Sequence, residues 1–378
     1  MAGGRSSRMR ASRGGQHKAL VKVLGVSMLE RNILTLLSHD FREIFLAVGA
    51  LERSILACAR GHCQKLVRAN GAKLRLFIEK RPYGTIGAAR AIRTSSDDLL
   101  VVNVDNLTSL DLTAFLEHHR ASKAVLTIAT HIEPFQVPFG QVLIKDGEIV
   151  EYREKPILRV PLCSGTYVLS KAARMSIPFG RPSSAPELVN ILLRAKRKVV
   201  AFSHSAEWID VNDAVAIEKA EDLLMAKCRA FELWRQPTTI ESTTLCVLNK
   251  RKVALLRSPS PGPSPVPRLP VADLVSPRDT PLRSAYRLRK QMGLLGLGKP
   301  HLLACFDELD PRNAQRTRHH IFVAEMKPAG VRTHKRTISW AGVSDLDVAT
   351  NHINGGSRTI AYLQRYVASK NPHPLSYR

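Results

Sequence analysis

Three observations predict an α/β fold followed by a smaller α+β unit. Between residue 19 and about 225, short β-rich apolar runs alternate with amphipathic stretches. Around 139–169 that rhythm gives way to closely spaced strand-like runs. From about 243 a new series of strands and helices begins, and 378 residues are enough for two or three domains.

The runs 43–48 (EIFLAV), 74–78 (LRLFI), 99–104 (LLVVNV) and 124–129 (AVLTIA) read as strands. Helical patterns lie at 27–38, 51–69, 84–93 and 111–120, so this part predicts a parallel sheet with helices on both faces. The runs FGQVLI, EIVEYREK and SGTYVLS follow, with Lys145-Asp146-Gly147 as a turn. Asp-Gly between strand-like runs signals a hairpin, so the sheet is expected to be mixed. Residues 213–234 read as one long helix ending near Pro237.

The second unit opens with TTLCVLNKRKVALLRS, a hairpin turning at Asn249-Lys250. A proline-dense loop from Pro259 to Pro270 cannot join a central strand and is placed inside this unit. A helix is predicted over 280–293, with Pro281 in its first turn and Gly293 near its end. Strands at 301–307 and 319–326 and a helix at about 356–369 complete the chain, giving domains 1–236 and 237–378.

Composition excludes several classes. No run of eighteen apolar residues occurs, so no transmembrane helix and no membrane partner are expected. The N-terminus lacks the apolar core of a secretory signal. Six cysteines stand without CxxC spacing, which reads as reduced thiols of a cytoplasmic protein. Residues 237–378 hold 22 Lys and Arg against 9 Asp and Glu, so this segment carries +13 of the chain's net +25. That surplus suits a polyanion such as nucleic acid, but aromatics are 6% and are not interleaved with the basic residues. A basic surface without a nucleic-acid role is favoured.

The N-terminal segment Ala2-Gly3-Gly4-Arg5-Ser6-Ser7-Arg8-Met9, with Lys18 after it, suits a polyphosphate. Glycines let backbone N–H groups close around phosphate, hydroxyls add donors, and Arg8 and Lys18 add charge. Asp105 ends an apolar run, where ligands meet the strand ends of open α/β sheets, and Asp210 follows the run VVAFSH. Two such carboxylates could share one Mg²⁺, a hard cation that also takes phosphate oxygens.

Six blocks in order make residues 2–225 resemble the sugar-phosphate nucleotidyltransferases. Ala2-Gly3-Gly4 with Arg8 is similar to their glycine-rich signature, and Lys18-Ala19-Leu20 to the motif after the loop in the related molybdenum-cofactor guanylyltransferases. Gly84-Thr85-Ile86-Gly87-Ala88 resembles the base-binding loop, Asn103-Val104-Asp105 a metal-binding Asn-Gly-Asp and Glu154-Lys155-Pro156 the Glu-Lys-Pro block. Cys163-Ser164-Gly165-Thr166-Tyr167 resembles Asn-Ala-Gly-Ile-Tyr, and Trp208-Ile209-Asp210 carries the second metal aspartate.

The resemblance implies a Rossmann-like mixed sheet and a transfer reaction. A sugar 1-phosphate oxygen would attack the α-phosphorus of a nucleoside triphosphate and expel pyrophosphate. Ala2, Gly3 and Gly4 with Arg8 would hold the departing pyrophosphate, and Lys18 the α-phosphate. Gly84 and Thr85 would line the base, Asp105 and Asp210 would hold Mg²⁺, and Lys155, Glu154 and Gly165 would meet the sugar phosphate.

Departures from the pattern keep alternatives open. Met1 stands directly at the glycine loop, so the family's first strand is expected to be missing. Val104 replaces a glycine and is expected near the nucleotide, and Cys163 replaces an asparagine. These changes favour an inactive nucleotide- or phosphosugar-binding regulator as a rival, with polyanion binding a second.

Residues 243–370 resemble a Nudix domain whose metal-binding box has degenerated. Leu269-Pro270, Thr280-Pro281 and Gly293-Leu294 match its frame. Ala272 stands for its glycine, Arg278 for its first glutamate, Tyr286-Arg287 for Arg-Glu and Lys290-Gln291 for Glu-Glu. Lys or Arg would repel a divalent ion, so hydrolase activity is not expected.

Overall fold

A computed structural model describes residues 17–234, 240–257, 267–273, 280–293, 296–309, 315–326, 338–346 and 356–370. These fall into two compact units that interleave along the chain. One holds Phe45–Leu56 and Arg75–Val211, and the other holds the described residues up to Ile44, Ala57–Leu74 and those from Asn212 onward.

The first unit is built on a four-stranded sheet ordered Val199–Ser203, Leu126–Gln136, Ile157–Ser170, Asp98–Val102. Val199–Ser203 runs parallel to Leu126–Gln136, but Ile157–Ser170 is antiparallel to both of its neighbours. The sheet is therefore mixed, as the inserted hairpin predicted, and not parallel throughout as the strand–helix alternation alone would have it. The reason lies in the hairpin Gln141–Lys145/Glu148–Arg153, which takes up the connection and leaves no crossover helix to bring the chain back parallel. Asp146 and Gly147 both have positive φ, 51° and 86°, as a tight two-residue turn requires.

Sheet residues Val101, Leu126 and Leu169 pack on Ala173, Ile177, Leu188 and Leu192. The last four come from helices Lys171–Ser176 and Ala185–Arg194 and the residue after the first of them. The periodicity reading assigned neither helix. Both begin at a serine whose hydroxyl accepts a backbone N–H, Ser170 from Ala173 and Ser184 from Glu187. The predicted helix 84–93 is corrected to a single turn, Ala88–Ala91. Tyr83–Gly87 is instead tied to a distant segment, Ser183 donating to the Tyr83 carbonyl at 2.9 Å and Ile86 to the Ser183 carbonyl at 3.2 Å.

In the second unit a seven-stranded sheet has the main order Pro267–Arg268, Lys252–Arg257, Ile240–Asn249, Arg316–Glu325, His301–Leu309. Pro267 sits on an edge strand, where its missing N–H costs no ladder bond. Helix Pro281–Met292 starts at Thr280, whose hydroxyl accepts from Arg283, and stops at Gly293 in the left-handed region, φ 61°. Its Ala285, Leu288 and Met292 pack on Leu245, Val247 and Phe322. The single helix read over 213–234 is two, Ala214–Ala226 and Cys228–Glu232, parted at Lys227 where φ is −128°.

Buried charge ties this unit together. Glu232 accepts from Arg31 of helix Met28–Ser38 and from Arg358 of helix Gly356–Lys370, and all three are under 9% exposed. Arg31 also donates to the Val23 carbonyl at 2.8 Å, and Arg358 to the Asp307 carbonyl at 2.9 Å. Burial pushes the Arg358 guanidinium down to about 10. All six cysteines are free. No described helix is long and apolar enough to cross a membrane.

Candidate active site

The two predicted metal aspartates lie on adjacent backbone segments at the end of the first unit's sheet. Strand Asp98–Val102 ends and the chain turns through Asn103-Val104-Asp105 into the short strand Asn106–Thr108. That strand pairs antiparallel with Trp208–Asp210, in a register that sets Asp210 against Asn106. The Val211 N–H donates to the Asp105 carbonyl at 2.9 Å, continuing the ladder by one residue. The backbones of Asp105 and Asp210 thus lie one register step apart on adjacent strands, although 105 positions separate them in sequence.

Beside them the chain makes an unusually close approach. Gly165 has φ +72°, and a Cβ there would lie 2.5 Å from Asn106 Nδ2 and 2.8 Å from Asn103 Nδ2. Only glycine fits that conformation and that space. The Ser164 carbonyl accepts from Asn106 Nδ2 at 2.5 Å and from Trp208 Nε1 at 2.8 Å, and Asn103 N–H donates to the Gly165 carbonyl at 3.1 Å. The three blocks around Asn103, Gly165 and Trp208 thus form one hydrogen-bonded patch.

Beneath it lie groups that motif reading left without a role. The His131 ring is 4.4 Å from the Trp208 ring and 6.2 Å from that of His204. His204 Nε2 is 3.2 Å from Ser164 Oγ, and that hydroxyl donates to the Ala129 carbonyl. Burial, with the neighbouring His131 charge second, holds His204 below its usual range and favours the neutral ring. Asn106 directly follows the quoted Asn-Val-Asp block but was not singled out from sequence, and the histidines carry no spacing signal.

The other predicted residues fall in several places. Val104, expected near the nucleotide, is corrected to a packing residue, 4% exposed. Cys163 is exposed, its thiol 3.2 Å from the Tyr167 hydroxyl. Gly84 has φ +78°, and a Cβ there would strike the Ser183 carbonyl oxygen at 2.5 Å, while the Thr85 hydroxyl accepts from the Ala185 N–H at 3.2 Å. Glu154 and Lys155 are exposed at the end of the hairpin, where Tyr152 O–H donates to Glu154 at 2.8 Å and Lys155 has φ +43°. Lys18 lies in the second unit, in the turn Lys18–Leu20. Ala2, Gly3, Gly4, Arg8 and Arg278 lie outside the described residues.

Among the described residues no group of three or more His, Cys, Asp and Glu is arranged to hold a metal. Two carboxylates fit a hard cation that completes its shell with phosphate oxygens and water. In the second unit, Arg287, Lys290 and Gln291 are exposed on helix Pro281–Met292, and Arg287 donates to Ser284 Oγ at 3.0 Å.

Residues 1–226 match the family described as Nucleotidyl transferase. A Sulfolobus acidocaldarius protein described as a mannose-1-phosphate guanyltransferase is 28% identical over 221 residues, covering 56% of this chain and 58% of that one. A D-glycero-α-D-manno-heptose 1-phosphate guanylyltransferase of Aneurinibacillus thermoaerophilus is 29% identical over 108 residues, 28% of this chain and 47% of that one. The match thus spans about half the length of these relatives. Among solved structures, HddC from Yersinia pseudotuberculosis in complex with GMP-PN has a TM-score of 0.46 at 22% identity, over 58% of this chain and 96% of that one.

Proposed function

The chain belongs to the nucleotidyl transferase family, and from that premise we propose that it condenses a nucleoside triphosphate with a sugar 1-phosphate, releasing an NDP-sugar and pyrophosphate. The observation that supports this is the antiparallel pairing that sets the backbones of Asp105 and Asp210 one step apart at the sheet end, next to the backbone cradle of Gly165. In the reaction a sugar phosphate oxygen bonds to the α-phosphorus as the bond to the bridging oxygen of pyrophosphate breaks. Little covalent work falls to the protein, so alignment and charge neutralisation do most of it.

Asp105 and Asp210 would hold a divalent cation, Mg²⁺ by the hardness of the ligands, which when bound supplies positive charge against the phosphates. Gly84 and Thr85, anchored on Ser183 and Ala185, form a fixed wall for the base. Gly165, held by the bonds to Ser164 and from Asn103, leaves room for the sugar at the backbone. Glu154 would orient the sugar and Lys155 its phosphate. Arg8 with Ala2, Gly3 and Gly4 would receive pyrophosphate, and Lys18 the α-phosphate. The family resemblance and the relatives' sugar phosphate chemistry support these roles.

The transferase reading takes residues 1–236 as its domain. Residues 237–378 are read as a Nudix-type remnant, which the capped helix Pro281–Met292 supports. Its exposed Lys290 and Arg287 suit no divalent ion.

The test is pyrophosphate release from a panel of four nucleoside triphosphates against several sugar 1-phosphates. Turnover is expected with at least one pair and only with divalent metal. Asp105→Asn and Asp210→Asn should each lower it by about a hundredfold or more. Nucleotide binding by calorimetry with no turnover on any pair would favour the regulator instead.

A further inference from the structure

Beside the turn that joins Ile240–Asn249 to Lys252–Arg257 lies a cavity of about 810 Å³. That is within the range that holds small organic ligands, roughly 300–1,000 Å³. All of its lining residues belong to the second unit, and none is in the candidate active site or on helix Pro281–Met292. The cavity has a basic rim on one side and an apolar floor.

The rim is the turn itself. Asn249 pairs with Lys252, so Lys250 and Arg251 are its two central residues. Lys250 has φ +54°, a conformation for which such turns favour glycine or asparagine. The turn therefore presents Lys-Arg-Lys where small residues would be easier to place. Its backbone is anchored on both sides, since the Arg251 carbonyl accepts from Val343 N–H at 3.0 Å and the Leu248 carbonyl from Met326 N–H at 2.8 Å. Such anchoring holds the cations in place before a ligand arrives. Opposite charge is scarce. Glu325 is the one carboxylate among the described lining residues, and it accepts from Lys370 and, at 2.8 Å, from the Tyr366 hydroxyl. The Lys370 bond holds the Glu325 carboxyl below its usual range, so these two charges match each other. Lys250, Arg251 and Lys252, all exposed, keep their charge uncompensated at the rim. The floor is Leu248, buried, with Met326 and Val367, half-buried.

We propose that this cavity binds a nucleotide carrying at least two phosphates, its phosphates against Lys250, Arg251 and Lys252 and its base over Leu248, Met326 and Val367. Three adjacent cations exceed what one phosphate can neutralise, and Lys and Arg are the side chains that pair with phosphate oxygens. An inorganic anion would leave the apolar floor in water, and a sugar phosphate would set hydroxyls against it. A flat heterocyclic base buries that floor at little cost. A nucleic acid strand calls for cations along an open groove interleaved with stacking aromatics. Here the cations crowd one turn above a concavity whose single aromatic, Tyr366, already carries Lys370 Nζ 4.8 Å from its ring centroid.

Calorimetric titration of the full chain with ADP, at about 0.15 M salt and with EDTA to remove divalent metal, tests this. Asp105→Asn serves as the parent beside the wild type, so the outcome does not depend on the transferase reading. ADP should bind both, and Lys250→Ala with Lys252→Ala should weaken that binding by at least about tenfold. Val367→Glu, which puts a carboxylate in the floor, should weaken it as well, with unchanged far-ultraviolet circular dichroism. If Val367→Glu fails to fold, the double turn variant carries the comparison. AMP and inorganic pyrophosphate should each bind more weakly than ADP. An azido-adenine analogue of ADP should, on irradiation, label a peptide containing Met326 or Val367. No ADP binding, or ADP binding that survives both variants, overturns the proposal. Pyrophosphate bound as tightly as ADP overturns it too, because charge alone would then account for the site. So does a single-stranded oligonucleotide that binds more tightly than ADP and is weakened by the same turn variant, since the turn would then belong to a nucleic-acid surface.

Discussion

Replacing Glu232 with glutamine probes the buried charge of the second unit with little change of shape. The carboxylate is shared by Arg31 and Arg358, and the Tyr362 hydroxyl lies 3.5 Å from it. Without its charge, two guanidiniums remain buried against the Val23 and Asp307 carbonyls. Burial already pushes the Arg358 pKa down to about 10. Removing one member of a buried ion cluster costs about 3–5 kcal/mol, a large part of the roughly 5–15 kcal/mol that holds a domain together. Urea unfolding followed by the fluorescence of Trp234 and Trp340, both in the second unit, in a Trp208→Phe background, should show that loss as a lower midpoint at unchanged slope. Neutralising all three, with Arg31→Met, Glu232→Gln and Arg358→Met together, should cost less than Glu232→Gln alone. A loss under about 1 kcal/mol for Glu232→Gln, the size of an exposed pair, would refute the reasoning.

Further outcomes follow from single residues. Gly165→Ala forces a Cβ to 2.5 Å from Asn106 Nδ2 at positive φ, and should cost about 1–3 kcal/mol in thermal unfolding and most of any turnover. His204 is held below its ordinary 6.5 by burial, so as pH falls through 6.5 the unfolded chain takes up a proton before the folded one. Stability should therefore drop below that pH, and His204→Gln should flatten the dependence in denaturation scans. The full chain should release no nucleoside monophosphate from nucleoside diphosphate derivatives with Mg²⁺ or Mn²⁺, and Lys290→Glu with Gln291→Glu should not create that activity. Metal-dependent release by the unaltered protein would make it a two-enzyme fusion.

What the sequence disclosed was what local chemistry decides. Asp146-Gly147 announced its hairpin because the turn needs two positive φ values, which this pair accepts. Thr280-Pro281 and Gly293 marked both ends of one helix for similar reasons. The errors came where distant segments decide. Residues 84–93 have a helical pattern, but Tyr83 and Ile86 spend their backbone groups on Ser183. The antiparallel course of Ile157–Ser170, by contrast, was foreshadowed by the hairpin that Asp146-Gly147 signals. In the candidate site, Asp105 and Asp210 were visible as residues, yet the pairing that joins them rests on a three-residue strand too short to leave a pattern. Helix Ala185–Arg194 was missed although Ser184 and Glu187 have capping-box spacing.

The shared carboxylate of Glu232 also bears on how the protein comes into being. Synthesis delivers Arg31 early, Glu232 long afterwards, and Arg358 within the last described helix. Helix Met28–Ser38 therefore leaves the ribosome with a cation that has no buried place to go until almost the whole chain has followed. The first unit, whose described segments end at Val211, is complete well before that. Nascent chains halted between these points should hold a finished first unit beside an open second one, with the apolar stripe of Met28–Ser38 exposed to chaperones and proteases. A stop codon just ahead of Arg358 would make that transient state permanent.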